Sequence, residues 1–351
     1  MGRPVRVLVV DDSAFVRKRL SIGLEADPDI EVVGAAEDAF VAKRMLDELE
    51  VDVMTLDVEM PGLNGLDFLR RLMAVRPLPV VMVSSLTQEG AGATLACLAA
   101  GAVDFVAKPS GPGEAEGEFL TTLRSKIHTA AAANLAAVRH GIASGGGARL
   151  VAPISSDRMT LCIGASTGGP EALAQVLERM PADAPATLIV QHMPGRYTPR
   201  LAQQLDRICA MEVREARTGD RLERGRVLLA PGGYQMRLLA GSDGVSICCT
   251  DEEKVNGHSP SVDVLFTSAA RVLGPNCVAV VMTGMGEDGA RGLAALRAAG
   301  ARTFAQDRET SVVFGMPKAA QAAGGAERLV PLGKIAETLI GMADPAEAKG
   351  G

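Results

Sequence analysis

The chain has 351 residues, room for two domains of ordinary size, and 47% of them are apolar, enough for packed cores. Aromatic residues make up only 3% and tryptophan is absent, which argues against a base-stacking platform for single-stranded nucleic acid. A net charge of −6 argues against a nucleic-acid or anionic-membrane partner held by bulk electrostatics.

From the N-terminus, Val5 to Val10 reads as a buried strand. Arg6 interrupts it and Asp11-Asp12 ends it, so it is too short for a signal peptide, and no apolar run elsewhere has the length to span a bilayer. The six cysteines, Cys97, Cys162, Cys209, Cys248, Cys249 and Cys277, form no C-x-x-C pair. Several sit in apolar runs as small hydrophobes, and a reduced, cytoplasmic setting is expected.

Residues 1–125 alternate strands and helices. Strands are expected at Val5–Val10, Ile30–Ala36, Asp52–Leu56, Pro79–Val83 and Ala102–Val106, with helices between them, including Ala14–Leu24 and Asp38–Leu49. This alternation implies a parallel sheet with helices on both faces. Asp11, Asp12, Asp57, Ser84 and Lys108 all fall at C-terminal strand ends, the edge where open parallel sheets bind ligands. Three gathered carboxylates repel one another, and a hard divalent cation, Mg²⁺ above all, offsets that repulsion. A single strand-end Asp is more often a cap on the next helix, and Lys108 alone reads as a solvated surface lysine, but five such residues at strand ends are much harder to dismiss.

Residues 126–156 read as a linker. A helical pattern over Glu118–Val138 gives way to the Gly/Ser-rich run Gly141–Gly147, whose composition is that of a flexible tether. His128 and His140 are expected to be solvated here. Residues 343–351 are expected to be a frayed tail.

In residues 157–342 the alternation resumes, with strands at Met159–Gly164, Ala186–Gln191, Met211–Ala216, Val227–Ala230, Cys277–Thr283 and near Thr303–Ala305. Gln235–Leu239 and Val245–Cys249 suggest a β-hairpin insertion. Helices are expected at Pro170–Met180, Thr198–Ile208, Val262–Leu273 and Ala290–Ala299. The fold class is α/β, two doubly wound parallel-sheet domains, the first flavodoxin-like.

Ser166 sits in Gly164-Ala165-Ser166-Thr167-Gly168, a G-x-S-x-G corner between strand and helix that pushes a hydroxyl outward, with free N–H groups at the helix start to meet an oxyanion. Its competing reading is a helix cap. His192 ends the next strand and Asp288 lies in the loop after another, so the three can meet on one sheet edge as nucleophile, base and orienting acid. The order Ser…His…Asp differs from the Ser…Asp…His of α/β-hydrolases, a reading that would require His258 as base. Gly284-x-Gly286-x-x-Gly289, with Asp307 further on, also matches a dinucleotide fingerprint, although it comes late in the domain.

Val9-Val10-Asp11-Asp12-Ser13, Leu56-Asp57-Val58-Glu59-Met60-Pro61, Val83-Ser84-Ser85 and Lys108-Pro109 resemble the receiver domain of two-component response regulators. The resemblance implies that Asp57 accepts a phosphoryl group from a chemotaxis histidine kinase. Asp11 and Asp12 would hold Mg²⁺ with Asp57, while Ser84 and Lys108 would follow and pair with the phosphoryl oxygens. The Ser166 corner, Gln191-His192-Met193-Pro194, Pro260-Ser261-Val262-Asp263, Thr283 to Gly289 and Val313 to Pro317 resemble the chemotaxis protein-glutamate methylesterases. That likeness implies a Rossmann-like fold, a Ser166–His192–Asp288 triad and oxyanion support near Met285 and Thr167, with no cofactor for the esterase. It implies hydrolysis of glutamate methyl esters on chemoreceptors with release of methanol, and deamidation of receptor glutamines. The receiver would block the catalytic domain until Asp57 is phosphorylated. No nucleic acid and no membrane insertion are expected. The alternative is a non-enzymatic phospho-switch whose second domain binds a dinucleotide or a partner protein.

Overall fold

The computed structural model describes residues 3–60, 62–85, 88–109, 114–138, 150, 159–242 and 244–343. The chain divides into two compact units, Met1–Ile142 and Ala143–Gly351. The Gly/Ser-rich run 141–147, His140, Pro61 and the tail 344–351 lie outside the described residues.

The first unit runs β1 Val5–Val10, α1 Ala14–Glu25, β2 Ile30–Ala36, α2 Ala39–Glu48, β3 Val53–Asp57, α3 Gly65–Val75, β4 Val80–Ser84, α4 Gln88–Ala99, β5 Asp104–Ala107 and α5 Glu114–Ala131. Its strands pair in parallel in the order β2-β1-β3-β4-β5. β3 and β4 are buried along their whole length, as continuous apolar runs covered on both faces must be. Arg6, which breaks the apolar run of β1, is tied to Asp52 by its Nε at 3.1 Å. Short polar side chains start the helices: the Asp38 carboxylate accepts from the N–H of Phe40 and Val41, each at 2.8 Å, and Asn64 accepts from Asp67.

α5 passes through residue 125, and Leu123, Ile127 and Ala130 are buried along it. The alanine run does not carry the helix to Val138. It stops at Ala131, and the Asn134 side chain accepts the N–H groups of Ala136 and Ala137, starting a separate turn. His128 is not simply solvated: its Nε2 lies 3.0 Å from Asp27 Oδ2, and that hydrogen bond holds the Asp27 carboxyl below its ordinary range.

The second unit continues with β6 Thr160–Ala165, α6 Gly169–Glu178, β7 Ala186–Gln191, α7 Thr198–Ile208, β8 Glu212–Glu215 and β9 Arg226–Leu229. A hairpin follows, β10 Gln235–Gly241 with β11 Gly244–Thr250, and then α8 Val262–Val272 and β12 Cys277–Val281. The chain closes with α9 Ala290–Ala298, β13 Arg302–Gln306, α10 Met316–Ala322, β14 Leu329–Val330 and α11 Leu332–Ala343. Seven strands among the described residues form one parallel sheet in the order β14-β13-β12-β6-β7-β9-β8. The antiparallel hairpin stands outside it and is tied to α8, where Ser268 Oγ accepts from the N–H of Leu238 at 3.1 Å. The sequence reading names neither α10, β14 nor α11. β14 is only two residues long, too short for a periodic signal, whereas α11 buries Ile335, Ala336, Leu339 and Ile340 at helical spacing.

In both sheets the chain order reverses at the first strand. β1 lies between β2 and β3, and β6 lies between β7 and β12. The crevice at such a reversal is open at the carboxyl ends of the strands, and both groups of polar residues lie there.

Val262, the first residue of α8, is wedged between two glycines. A Cβ on Gly164 or on Gly289 would overlap its side chain. The Gly164→Ala variant is therefore expected to lose about 2 kcal/mol of stability through overpacking, read as an earlier midpoint in urea unfolding. A midpoint equal to the wild type would show that this approach is not tight.

Candidate active site and phosphoacceptor site

The β6–α6 corner puts Ser166 at the open edge of the second sheet. α6 starts at Gly169, with Pro170 in its first turn. Its N-cap is Gly168, at a left-handed φ of 75°, with no side-chain cap hydrogen bond. The helix thus makes no use of Ser166 as its cap. Instead the turn is held by neighbours: Ser166 N–H donates to Thr283 O at 3.0 Å, Gln191 Nε2 donates to Ser166 O at 2.9 Å, and Thr283 Oγ1 donates to Thr167 O at 2.9 Å. Thr167 itself is buried.

His192 comes next in space. Ala165 pairs with Gln191 across β6 and β7, and His192 N–H donates to Ala165 O at 3.1 Å. Ser166 and His192 therefore occupy equivalent positions, one residue past the ends of adjacent parallel strands. The His192 Nε2 lies 2.7 Å from Asp288 Oδ2, with the two side chains 6% and 1% exposed. Its other nitrogen, Nδ1, is buried without a hydrogen-bond partner.

Asp288 is the most heavily bonded carboxylate at this edge. Besides His192 it accepts from Val262 N–H at 2.6 Å, Ser261 Oγ at 2.7 Å, Asn256 Nδ2 at 2.7 Å and, more weakly, Asp263 N–H at 3.3 Å. Burial opposes its charge, but the bonds from His192, Asn256 and Ser261 outweigh it and hold the carboxyl well below the usual range. Asn256 is itself pinned: it donates to Asp263 at 2.9 Å and accepts from Arg291 at 2.9 Å, from a left-handed backbone (φ 54°) that asparagine tolerates better than most residues.

Met285, 42% exposed, lies in the loop that reaches Ser166, where the preceding Gly284 leaves no room for a Cβ beside the serine. The G-x-G-x-x-G run is that same loop, and it delivers Asp288. Asp307, the acid that the dinucleotide reading would need, accepts from both the N–H and the hydroxyl of Thr310. His258 stacks its ring on that of His192, with centroids 3.6 Å apart and planes within 6°. Sequence spacing gives no signal that His258 meets His192 or that Asn256 bonds Asp288, and it marks Ser261 only as part of the Pro260–Asp263 motif, because the loop that carries them is ordered by contacts with distant segments.

In the first unit, Asp11, Asp12 and Asp57 bring oxygens within 4.8 Å of one another, so the cluster can hold a divalent cation. Lys108 Nζ bridges Asp11 and Asp57 at 2.8 Å each. Burial pushes the Asp57 carboxyl up to about 6, against the pull of Lys108. Burial disfavours the Lys108 charge too, yet its bonds to the two carboxylates win and raise its pKa. Ser84 Oγ accepts from Thr94 Oγ1 at 2.6 Å, tying β4 to α4. Among the described residues no helix is long and apolar enough to cross a membrane.

The fold and its two polar edges define a class: a receiver-type doubly wound α/β domain followed by a second, Rossmann-like doubly wound α/β domain with Ser166, His192 and Asp288 at its open edge. A family model described as CheB methylesterase matches residues 161–339, and one described as response regulator receiver domain matches residues 7–117. The chain is 48% identical to a protein-glutamate methylesterase/protein-glutamine glutaminase of Syntrophotalea carbinolica, over 97% of this chain and 98% of that relative. It is also 48% identical to one of Bordetella bronchiseptica, over 96% of this chain and 97% of the other. The crystal structure of the Thermotoga maritima CheB methylesterase catalytic domain matches with a TM-score of 0.51 and 37% identity, covering 52% of this chain and 97% of that one. The chain belongs to the CheB methylesterase family, in the arrangement that carries a response regulator receiver domain.

A carboxyl whose folded pKa is depressed stabilises the fold above its unfolded pKa and loses that contribution as pH falls toward the folded value. For Asp288 the loss begins below about pH 4. Between pH 5 and pH 2 the wild type is therefore expected to lose about 2 kcal/mol more stability than Asp288→Asn, measured by urea unfolding at each pH. Equal pH slopes would contradict the depressed carboxyl.

Proposed function

We propose that the chain hydrolyses glutamate methyl esters on chemoreceptors, and deamidates receptor glutamines, with Ser166 as nucleophile, His192 as base and Asp288 as the acid that orients it. The observation that carries this reading is the His192 ring, one position past the strand end next to that of Ser166, with one nitrogen on a buried, fully bonded carboxylate and the other buried without a hydrogen-bond partner. An ionised Asp288 fixes the tautomer: Nε2 keeps the hydrogen and Nδ1 keeps its lone pair.

Ser166 Oγ attacks the side-chain ester carbonyl carbon while Nδ1 takes its proton. The tetrahedral intermediate collapses, the C–OCH₃ bond breaks, and the imidazolium returns the proton so that methanol leaves. Water then attacks the acyl-enzyme with Nδ1 again as base, releasing the glutamate carboxylate and restoring Ser166. With glutamine the leaving group is ammonia. Thr167, next to Ser166 in the chain, and Met285, next to the Gly284 that packs against the serine, are the proposed oxyanion support, while the Gly284 N–H is already bonded to Val313 O at 3.0 Å. The Ser166→Ala variant is expected to release no methanol from methylated receptor above background, and full activity would refute the nucleophile.

In the first unit Asp57 is the proposed phosphoacceptor for a chemotaxis histidine kinase. Asp11 and Asp12 would share Mg²⁺ with it, and Lys108 and Ser84 would meet the added phosphoryl oxygens. The cation supplies charge neutralisation among the carboxylates when bound. Lys108 already spans Asp11 and Asp57 and so is poised to follow a new negative group. Incubation with a small phosphodonor and Mg²⁺ is expected to give a phosphoprotein that Asp57→Asn does not form. Labelling of Asp57→Asn to the same extent would move the acceptor elsewhere.

For the receiver that runs through α5 and the catalytic domain that begins at β6, control by restraint is proposed, with the unphosphorylated receiver holding the esterase down. Deleting residues 1–142 is then expected to raise basal methanol release. A truncated protein less active than the unphosphorylated whole would reject restraint in favour of direct activation.

A further inference from the structure

His258 lies flat on the ring of His192, yet none of the steps above uses it. Its placement is elaborate. Val255 and His258 exchange backbone hydrogen bonds at 3.0 and 2.9 Å, closing a tight bridge across Asn256 and Gly257, both at left-handed φ. Gln235 Nε2, from the start of the hairpin, donates to His258 O at 3.0 Å. The same loop presents Asn256 and Ser261 to Asp288. His258 is thus set by the hairpin insertion and its outgoing loop, outside the main sheet.

We propose that His258 is a positioning residue for the esterase reaction, fixing the plane of the His192 imidazole and shielding one of its faces. The inference rests on the reading of His192 as base. A single hydrogen bond from Nε2 to Asp288 anchors one edge of the ring and leaves it able to pivot about that bond. A parallel ring at 3.6 Å removes that freedom, so Nδ1 keeps one direction through proton transfer and return. The stack also occupies ring surface that water would otherwise reach. When Nδ1 takes the serine proton, positive charge spreads over a ring lying against a π face, an attraction that grows as the transition state forms. Interactions that strengthen only in the transition state act on kcat and leave KM alone.

The test measures kcat and KM for methanol release from a methylated chemoreceptor preparation, using full-length, phosphodonor-activated protein. His258→Ala is expected to lose about tenfold in kcat, the scale of one desolvated cation–π contact, at unchanged KM. His258→Phe, which restores a flat ring, is expected to recover most of that loss. His258→Leu fills the space without a planar face, and it is expected to behave as His258→Ala, serving in its place should alanine lower the melting temperature. Wild-type kcat in both Ala and Leu, a change confined to KM, or a Phe variant as impaired as Leu at equal melting temperature would each overturn the proposal. Ser166→Ala runs alongside: activity surviving there would sink the triad reading itself, whereas an inactive Ser166→Ala with wild-type kcat in His258→Ala and His258→Leu would sink only the positioning role.

Discussion

A single buried carboxylate organises the second domain. Asp288 is 1% exposed, and an ionised group that deep is costly unless hydrogen bonds replace its lost water. Five donors from three stretches of chain supply that replacement: His192 from the end of β7, Asn256 from the loop after the hairpin, and Ser261 with the first N–H groups of α8. Much of the surrounding structure follows. α8 must bring its N-terminus hard against β6 and the 284–289 loop, which only works because Gly164 and Gly289 leave space for Val262. The hairpin, an excursion from the sheet, earns its place by delivering the loop that carries Asn256 and His258.

The first domain meets a related problem with the opposite solution. There, three carboxylates lie within 4.8 Å of one another with one lysine between two of them. Burial raises the Asp57 carboxyl against the pull of Lys108, with the Asp11 charge adding to it, so Asp57 resists ionisation, whereas Asp288 ionises readily. One carboxylate is held in a fixed state. The other sits where added positive charge, or a covalently added phosphoryl group, changes the local balance most. The roles proposed for them, a constant orienting acid and a switchable acceptor, call for these two different environments, although both lie at the carboxyl edge of a doubly wound sheet.

Much of this was legible in the residues because strand ends are local events. An apolar run that stops at Asp11, Asp57, Ser166 or His192 marks the place where backbone leaves the sheet, and parallel strands all present those ends to one edge. The helix start at Asp38 was equally local. Local propensity failed where a competing contact decided the matter. The alanine-rich run after Ser125 reads as unbroken helix, but Asn134 turns its side chain onto the backbone and starts a new turn. His128 reads as solvated because its partner, Asp27, lies far away along the chain.

By itself the sequence determined two α/β domains, the strand-end positions of the polar residues and, through its motifs, the family. Tertiary structure alone decided which nitrogen of His192 faces Asp288, that Asn256 and Ser261 complete the shell of that carboxylate, and that His258 stacks on the imidazole. The reason lies in the range of the forces. Strand and turn chemistry act over a few residues, so they leave a periodic trace in the chain. A hydrogen bond or a ring stack between residues 66 positions apart, as with His192 and His258, leaves no such trace and exists only once the sheet and the hairpin loop have folded together.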